Sequence, residues 1–220
     1  MSDLALLSIA LSYPDDAIVA GRDDIAGAVA EIPAGDPLAR FFAWWMSVEV
    51  GDLRRRYVET FDFARRNCLH MTYFTHGDRR QRGVALLGLK RRYRAAGVAL
   101  VDAELPDHLA VMCEFAQIAP QEGRALLAEH RPMIELVRQS LRRDGSPWAD
   151  AFDALAVRLP DLSSDGWAEV RRLAADGPPT EDVGLEPFAP PEVMPEPVRP
   201  GAATSNRPPV TVAAGAGRTA

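Results

Sequence analysis

Cysteine is scarce in this chain of 220 residues, which contains only Cys68 and Cys113. Two thiols are too few for the disulfide framework of small secreted proteins, so the composition is typical of a protein kept in a reducing compartment. The sequence also opens without the charged start, apolar run and small-residue cleavage site of a secretory leader. We therefore expect a cytoplasmic location.

Long apolar runs and alternating strands are lacking as well. The apolar stretch over residues 2–13 is interrupted or flanked by Asp3 and Ser12, and the other runs fall far short of the roughly 20 residues that a membrane-spanning helix needs. β-Branched residues do not alternate between hairpin turns. These absences predict a protein without direct membrane insertion and without a sheet.

Helical periodicity, in contrast, recurs along residues 1–176. Asp36 precedes Pro37 as an N-cap, a helix restarts at Asp52, and another spans residues 15–31 around Gly21. A helix carrying Leu86, Leu89 and Tyr93 on its buried side ends at Ala96, and Gly97 supplies its left-handed stop. We predict an all-α, single-domain bundle of eight to ten helices over residues 1–176.

Residues 177–220 form a segment of different composition. They hold ten of the eighteen prolines and neither tryptophan nor tyrosine. Such a segment cannot bury enough apolar surface to offset the entropy of ordering it. We predict a disordered tail, and a solvated extension is favoured over a proline-rich ligand because a clear Pro-x-x-P array with basic flanks is missing.

Charge is distributed unevenly in the predicted domain. The chain has a formal net charge of −6, yet residues 54–94 contain twelve basic residues and three acidic ones, a local charge of +9. Two interpretations remain open. Either side-chain pairs and solvated helix faces absorb the positive charge, which is the more common outcome, or the region contacts an anionic partner.

A polar box precedes an apolar helical face within residues 103–116. Glu104, Pro106, Asp107 and His108 occupy the predicted first turn of a helix, where proline and carboxylates are favoured. An imidazole beside two carboxylates is less ordinary. The box is either a capped helix start with a solvated first turn or a site that holds a peptide or a proton.

Catalytic and metal-binding patterns are missing. Cys68, His70 and His76 match no zinc-ligand spacing. Asp107 and His108 are adjacent, so on a helix they would point about 100° apart and could not act as an acid-base pair on one face. Because nucleophile elbows, phosphate loops and His-Glu-x-x-His pairs are also missing, we predict no enzyme activity and no bound metal.

A second charged turn, His76 to Gly83, leads into an apolar helix. It is either an N-cap with solvated arginines or, with Tyr57, Phe61 and Tyr73, part of a peptide groove or a platform for single-stranded nucleic acid. Tyr57 and Phe61 are four residues apart, and such a pair is more often core than contact surface.

Three motifs together resemble the NarJ family, the assembly chaperones of respiratory nitrate reductase, within a wider group of helical chaperones that includes TorD and DmsD. They are Tyr57-Val-Glu-Thr-Phe-Asp-Phe63, Thr75-His-Gly-Asp-Arg-Arg-Gln-Arg-Gly83 and Glu104-Leu-Pro-Asp-His108. The resemblance covers about the first 175 residues. The strong basic stretch and the long proline-rich end depart from the familiar pattern.

The resemblance implies a private, non-catalytic chaperone in the cytoplasm. It would bind the N-terminal segment of the catalytic (alpha) subunit, or the alpha-beta apo complex. It would keep that apoenzyme competent for insertion of molybdopterin guanine dinucleotide before membrane docking, without holding this cofactor stably itself. Two alternatives stay open: the same fold serving another molybdoenzyme, and a nucleic-acid-binding domain that uses residues 54–94.

The resemblance also implies which residues contact the partner peptide: Glu104, Pro106, Asp107, His108, Tyr57, Phe61, His76, Asp78 and Arg82. On this view Glu104 and Asp107 meet basic residues of the client. His108 adds a hydrogen-bond donor that is lost above its titration range, and Tyr57 and Phe61 form an apolar wall.

Overall fold

The computed structural model describes residues 1–77, 79–100 and 104–177. Within these ranges the secondary structure consists of twelve α-helices, one 3-10 turn and a single isolated β-bridge, so the all-α prediction is confirmed. The helices are α1 (Asp3–Leu11), α2 (Asp16–Ala20), α3 (Arg22–Ala30), α4 (Pro37–Ser47), α5 (Val50–Phe61), α6 (Tyr73–His76), α7 (Arg80–Ala95), α8 (Leu109–Ile118), α9 (Pro120–Glu129), α10 (Arg131–Arg143), α11 (Trp148–Ala156) and α12 (Ser164–Asp176), and the 3-10 turn is Arg65–Asn67.

Several predicted boundaries shift. The described residues contain more helices than the predicted eight to ten. One reason is that Gly21 divides the predicted second helix into α2 and α3. The other is that α6 is too short to show a helical periodicity of apolar residues. The helix predicted to restart at Asp52 begins at Val50, since the Glu49 side chain already accepts a hydrogen bond from the Gly51 amide at 2.6 Å. Beyond Gly177, the predicted tail lies outside the described residues.

The core is organised around Trp148 at the start of α11. Its indole nitrogen donates to the carbonyl of Ala10 at 3.0 Å, which ties α11 to α1. The rings of Phe41, Tyr57 and Phe61 pack at centroid distances of 6.1, 5.9 and 5.4 Å from it. Edge-to-face and tilted aromatic packing of this kind contributes beyond simple area burial. Elements far apart in sequence thus share one aromatic cluster.

Helix α8 is the central element next to the polar box. It packs against both α1 and α9. Gly123 of α9 lies so close to α8 that a Cβ placed there would be 2.2 Å from the Cα of Ala116. This close approach of two backbones fixes α8 firmly, so one end of the box is attached to a rigid helix.

Helix α7 is the least buried of the long helices. Leu89 and Tyr93 are buried as predicted, whereas Leu86 is half-buried and Leu87 exposes 57% of its surface. The predicted stop at Gly97 is confirmed by its φ of +77°, a region that favours glycine.

Part of the basic charge of residues 54–94 is paired inside the domain. Arg54 bonds Asp16 on the neighbouring α2, and Arg55 bonds Asp52 and Glu59 on its own helix. Further along, Arg66 pairs with Asp144, and Arg92 with Glu129, at 2.8 and 2.7 Å. For these arginines the structure supports the first interpretation of the charge pattern, pairing within the fold.

Candidate functional site

The polar box does not form the first turn of α8, which corrects the sequence prediction. The helix begins at Leu109, and Glu104 to Asp107 belong to the loop that precedes it. This loop runs antiparallel to residues 69–71: the Met71 amide donates to the carbonyl of Asp107 at 3.0 Å, and the Leu109 amide donates to that of Leu69 at 2.9 Å. Pro106 is tolerated because the loop needs no amide there; its carbonyl accepts from the Tyr93 hydroxyl at 2.6 Å.

Asp107 is a buried hub with no exposed surface. One carboxylate oxygen accepts from the hydroxyl and the amide of Thr72 and lies 3.4 Å from Nη2 of Arg82. The other oxygen lies 3.2 Å from Nδ1 of His70. Burial alone would raise the pKa of Asp107, but the hydrogen bonds from His70 and Thr72 and the charge of Arg82 outweigh it and lower the pKa to about 2.

His108 acts as the N-cap of α8. Its Nδ1 accepts a hydrogen bond from the Ala110 amide at 3.3 Å, so the proton of the neutral ring lies on Nε2. Burial, together with the nearby His70 ring, lowers the pKa of His108 to about 4, although the charge of Asp107 opposes this. The expected loss of a donor near pH 6.5 therefore does not apply, because the ring stays neutral throughout the physiological range.

Arg82 and His76 have different surroundings. The Arg82 side chain is 18% exposed, reaches Asp107, and holds its guanidinium carbon 6.0 Å from the centroid of the Tyr73 ring. His76 ends α6 and is half-buried, with its amide bonded to the carbonyl of Thr72 at 3.0 Å. Asp78, the remaining residue predicted in this motif, lies outside the described residues.

Tyr57 and Phe61 belong to the aromatic core and not to a contact surface. This is the more common outcome for an aromatic pair four residues apart on a helix. Each exposes 6% of its surface, and the Tyr57 hydroxyl donates to the carbonyl of Leu11 at 2.9 Å. Burial raises the pKa of Tyr57 strongly, and the charges of Asp62 and Glu104 add to this. The effect of Glu104 indicates that the exposed start of the box lies near this end of the core.

A groove opens beside the box along the outer face of α8. It has a volume of about 380 Å³ and is lined by residues from the end of α1, the loop after α7, the box and α8, namely Ser12, Val98, Ala99, Leu100, Glu104, His108, Ala110, Val111, Glu114, Phe115 and Ile118. We call it the α8 groove. Ile118 exposes 65% of its surface at one end of it. Glu104 and Glu114 place carboxylates along an otherwise largely apolar wall.

Of the predicted site residues, the structure thus brings Glu104 and His108 to the α8 groove. Asp107 and Arg82 lie behind it as supports, whereas Tyr57 and Phe61 lie in the core. Sequence reasoning missed Val111 and Ile118 as groove residues. One signal was available in the sequence of α8, whose polar positions are Glu114 and Gln117. Because the helix is apolar on nearly all sides, its apolar surface is larger than the part that a core can bury.

Two further properties concern the described residues alone. No three histidine, cysteine or carboxylate side chains come together there in a way that could hold a metal ion. None of the helices there has both the length and the apolar character that crossing a membrane requires.

Comparison with known proteins identifies the family. The family model described as "Nitrate reductase delta subunit" matches residues 34–154. This chain belongs to the nitrate reductase delta subunit family. The match spans α4 to most of α11 and includes the polar box and α8, but it ends before α12.

Three members of the wider set of relatives show the extent of the similarity. The "Probable nitrate reductase molybdenum cofactor assembly chaperone NarJ" of Bacillus subtilis (strain 168) is 32% identical over 71% of this chain and 87% of its own length. The "Nitrate reductase molybdenum cofactor assembly chaperone NarJ" of Escherichia coli (strain K12) is 31% identical over 79% of this chain and 76% of its own.

A third relative is a longer protein. "Nitrate reductase-like protein NarX" of Mycobacterium tuberculosis (strain ATCC 25618 / H37Rv) is 33% identical over 72% of this chain, which corresponds to 24% of its own length. The relatives from Bacillus and Escherichia are named as assembly chaperones. The NarJ-family assignment is confirmed, and these names agree with the prediction of a non-enzymatic protein.

Proposed function

We propose that this protein is a private chaperone of respiratory nitrate reductase in the cytoplasm. It binds the N-terminal segment of the catalytic (alpha) subunit, alone or in the alpha-beta apo complex. In doing so it keeps the apoenzyme competent for insertion of molybdopterin guanine dinucleotide before membrane docking. The chaperone itself holds no cofactor stably. Membership of the delta-subunit family and the chaperone names of its relatives support this role.

The observation that carries the binding proposal is the α8 groove. An apolar trough of about 380 Å³ suits one face of an amphipathic helix, the form in which many partner segments bind grooves. The carboxylates of Glu104 and Glu114 favour a client helix with basic residues flanking its apolar face. The arginines of residues 54–66 that pair with carboxylates elsewhere in the fold do not line this groove.

Isothermal titration calorimetry with a peptide copying the first residues of the catalytic subunit tests the proposal. We expect binding with a negative heat-capacity change, since apolar surface is buried. Ile118→Asn should weaken binding about tenfold, the order of magnitude expected for losing a buried apolar contact. The matched control is Val157→Asn, because Val157 exposes 68% of its surface and lies outside the groove.

Two outcomes would contradict this assignment. The first is an absence of binding heat for the peptide at several temperatures. The second is an equal loss of affinity in both variants, which would place the contact elsewhere. Competition with a peptide from a different molybdoenzyme separates the nitrate reductase client from the alternative clients that the same fold could serve.

A further inference from the structure

A basic cavity adjoins the α8 groove at the end of α7. It has a volume of about 440 Å³, and the described residues that line it are Lys90, Arg94, Gly97, Val98, Ala99 and Leu100. We call it the Arg94 cavity. Residues 98–100 also line the α8 groove, so the two cavities share one wall. A polypeptide that leaves the groove over this wall therefore reaches the Arg94 cavity.

The Arg94 cavity is accessible and positively charged. Arg94 is exposed, and Lys90 is half-buried. Neither of them forms an ion pair within the described residues, whereas Arg92 on the same turn is paired with Glu129 at 2.7 Å. The described residues that line this cavity include no carboxylate. The negative end of the α7 dipole offsets roughly half an elementary charge, so most of the two positive charges remains available to an anionic group.

The end of α7 fixes the position of this cavity relative to the α8 groove. The Gly97 amide donates to the carbonyl of Arg94 at 3.0 Å. The Val98 amide donates to the carbonyl of Tyr93 at 2.9 Å, which completes the hydrogen-bond pattern of a Schellman cap. The Tyr93 ring packs against that of Phe115, which lines the groove, at a centroid distance of 4.3 Å. One ligand can therefore contact both cavities with a defined spacing between the contacts.

We infer that the Arg94 cavity receives an acidic side chain of the same client segment that fills the α8 groove. This inference rests on the proposed function. The carboxylates of Glu104 and Glu114 line the groove, whereas Lys90 and Arg94 line the cavity beyond the shared wall. A client with basic residues beside its apolar face and a carboxylate past one end of that face is complementary to both cavities.

The same arrangement selects against other ligands. A uniformly basic segment would place a positive charge against Arg94, and such a like-charge contact discriminates between clients that are equally apolar. A polyanion such as a nucleic acid would meet the carboxylates of Glu104 and Glu114 as soon as it extended across residues 98–100. The opposite charges on the two sides of the shared wall thus favour a single polypeptide that carries both signs.

A double-mutant cycle between the full chain and a client peptide tests this inference. The peptide copies the first residues of the catalytic subunit, extends past its apolar face on both sides and is amidated at its C-terminus, and each of its carboxylates is replaced in turn by glutamine. We expect one replacement to weaken binding about fivefold, as Arg94→Gln should, because an accessible ion pair is lost in either case. The two changes together should weaken binding no more than either alone. Arg91→Gln is the matched control, since Arg91 is exposed on the same helix but lines neither cavity, and it should change affinity less than about twofold.

Two comparisons make the outcome decisive. The urea midpoint of Arg94→Gln should match that of the unaltered chain, because Arg94 is exposed and without an ion pair among the described residues. Ile118→Asn separates this inference from the proposed function. If the peptide binds and loses affinity in Ile118→Asn, but Arg94→Gln has no larger effect than Arg91→Gln or couples to none of the carboxylates, the inference is overturned and binding at the α8 groove stands. A peptide that does not bind at all contradicts the proposed function and this inference with it.

Discussion

Asp107→Asn tests whether the polar box is a structural hub. The substitution keeps the size of the side chain and one acceptor oxygen, but it removes the buried negative charge that faces His70, Thr72 and Arg82. The pKa of Asp107 falls from 3.8 to about 2 in the folded protein, which corresponds to about 2 kcal/mol of stability at neutral pH. Loss of one charged hydrogen bond gives a similar figure, about 2–3 kcal/mol. We expect the free energy of unfolding to fall by about 2 kcal/mol.

The contribution of Asp107 to the free energy of unfolding should decrease as the pH is lowered. Because the folded pKa lies below the unfolded value, the contribution of Asp107 is fully present above about pH 4 and is lost as the pH falls toward 2. The stability difference between the unaltered chain and Asp107→Asn should therefore be about 2 kcal/mol at pH 7 and close to zero near pH 2. Urea unfolding followed by tryptophan fluorescence at a series of pH values measures this difference.

The control for this experiment is Asp161→Asn, since Asp161 is an exposed carboxylate in a connecting loop. Its removal should change stability by less than about 0.5 kcal/mol at either pH. Equal stability of Asp107→Asn and the unaltered chain at pH 7 would refute the hub, as would a stability loss that stays constant down to pH 2. A destabilised Asp107→Asn chain would not report on client contact alone, because lost binding and lost folding would then coincide.

Two further predictions concern the residues around α8. The pKa of His108 is about 4 in the folded protein, below its ordinary 6.5, so the unfolded chain binds a proton more readily than the folded one. The free energy of unfolding should therefore fall by about 3 kcal/mol as the pH drops from 6.5 to 4. In His108→Gln this loss should be largely absent, and a variant whose urea midpoints follow the same pH profile as the unaltered chain would contradict the prediction. Gly123→Ala should lower the thermal midpoint through a loss of about 1–3 kcal/mol or more, because its Cβ would meet the Cα of Ala116 at 2.2 Å. Gly27→Ala, with open space at the Cβ, should leave the midpoint unchanged or raise it. A similar response in both glycine variants would show that α8 and α9 can separate.

Local signals in the sequence were sufficient for much of the helical framework. The cap at Asp36 accepts the Leu38 amide at 2.8 Å, as its position before Pro37 predicts. The stop at Gly97 was equally readable, because a positive φ at a helix end favours glycine. Where short helices follow each other, as at Gly21, periodicity could not resolve the boundary because each segment holds fewer than three turns.

The candidate site was less accessible to sequence reasoning. The box was found by its composition, but the burial of Asp107 depends on Thr72, which lies 35 positions earlier in the chain. No local pattern reports such a contact. The same holds for Tyr57, whose hydroxyl bonds a carbonyl 46 positions away. Family resemblance marks both residues without distinguishing a contact residue from one that supports it.

The arrangement of the box explains how three neighbouring polar residues serve different purposes. The loop before α8 runs against residues 69–71, so its successive side chains point in different directions. Asp107 points inward and fixes the loop, while His108 caps α8 and reaches the groove together with the exposed Glu104. Glu104→Gln should therefore reduce client affinity at constant stability, whereas Asp107→Asn should reduce stability first. Affinity and unfolding measured on both variants separate recognition from support, which a loss of chaperone activity in cells would not do.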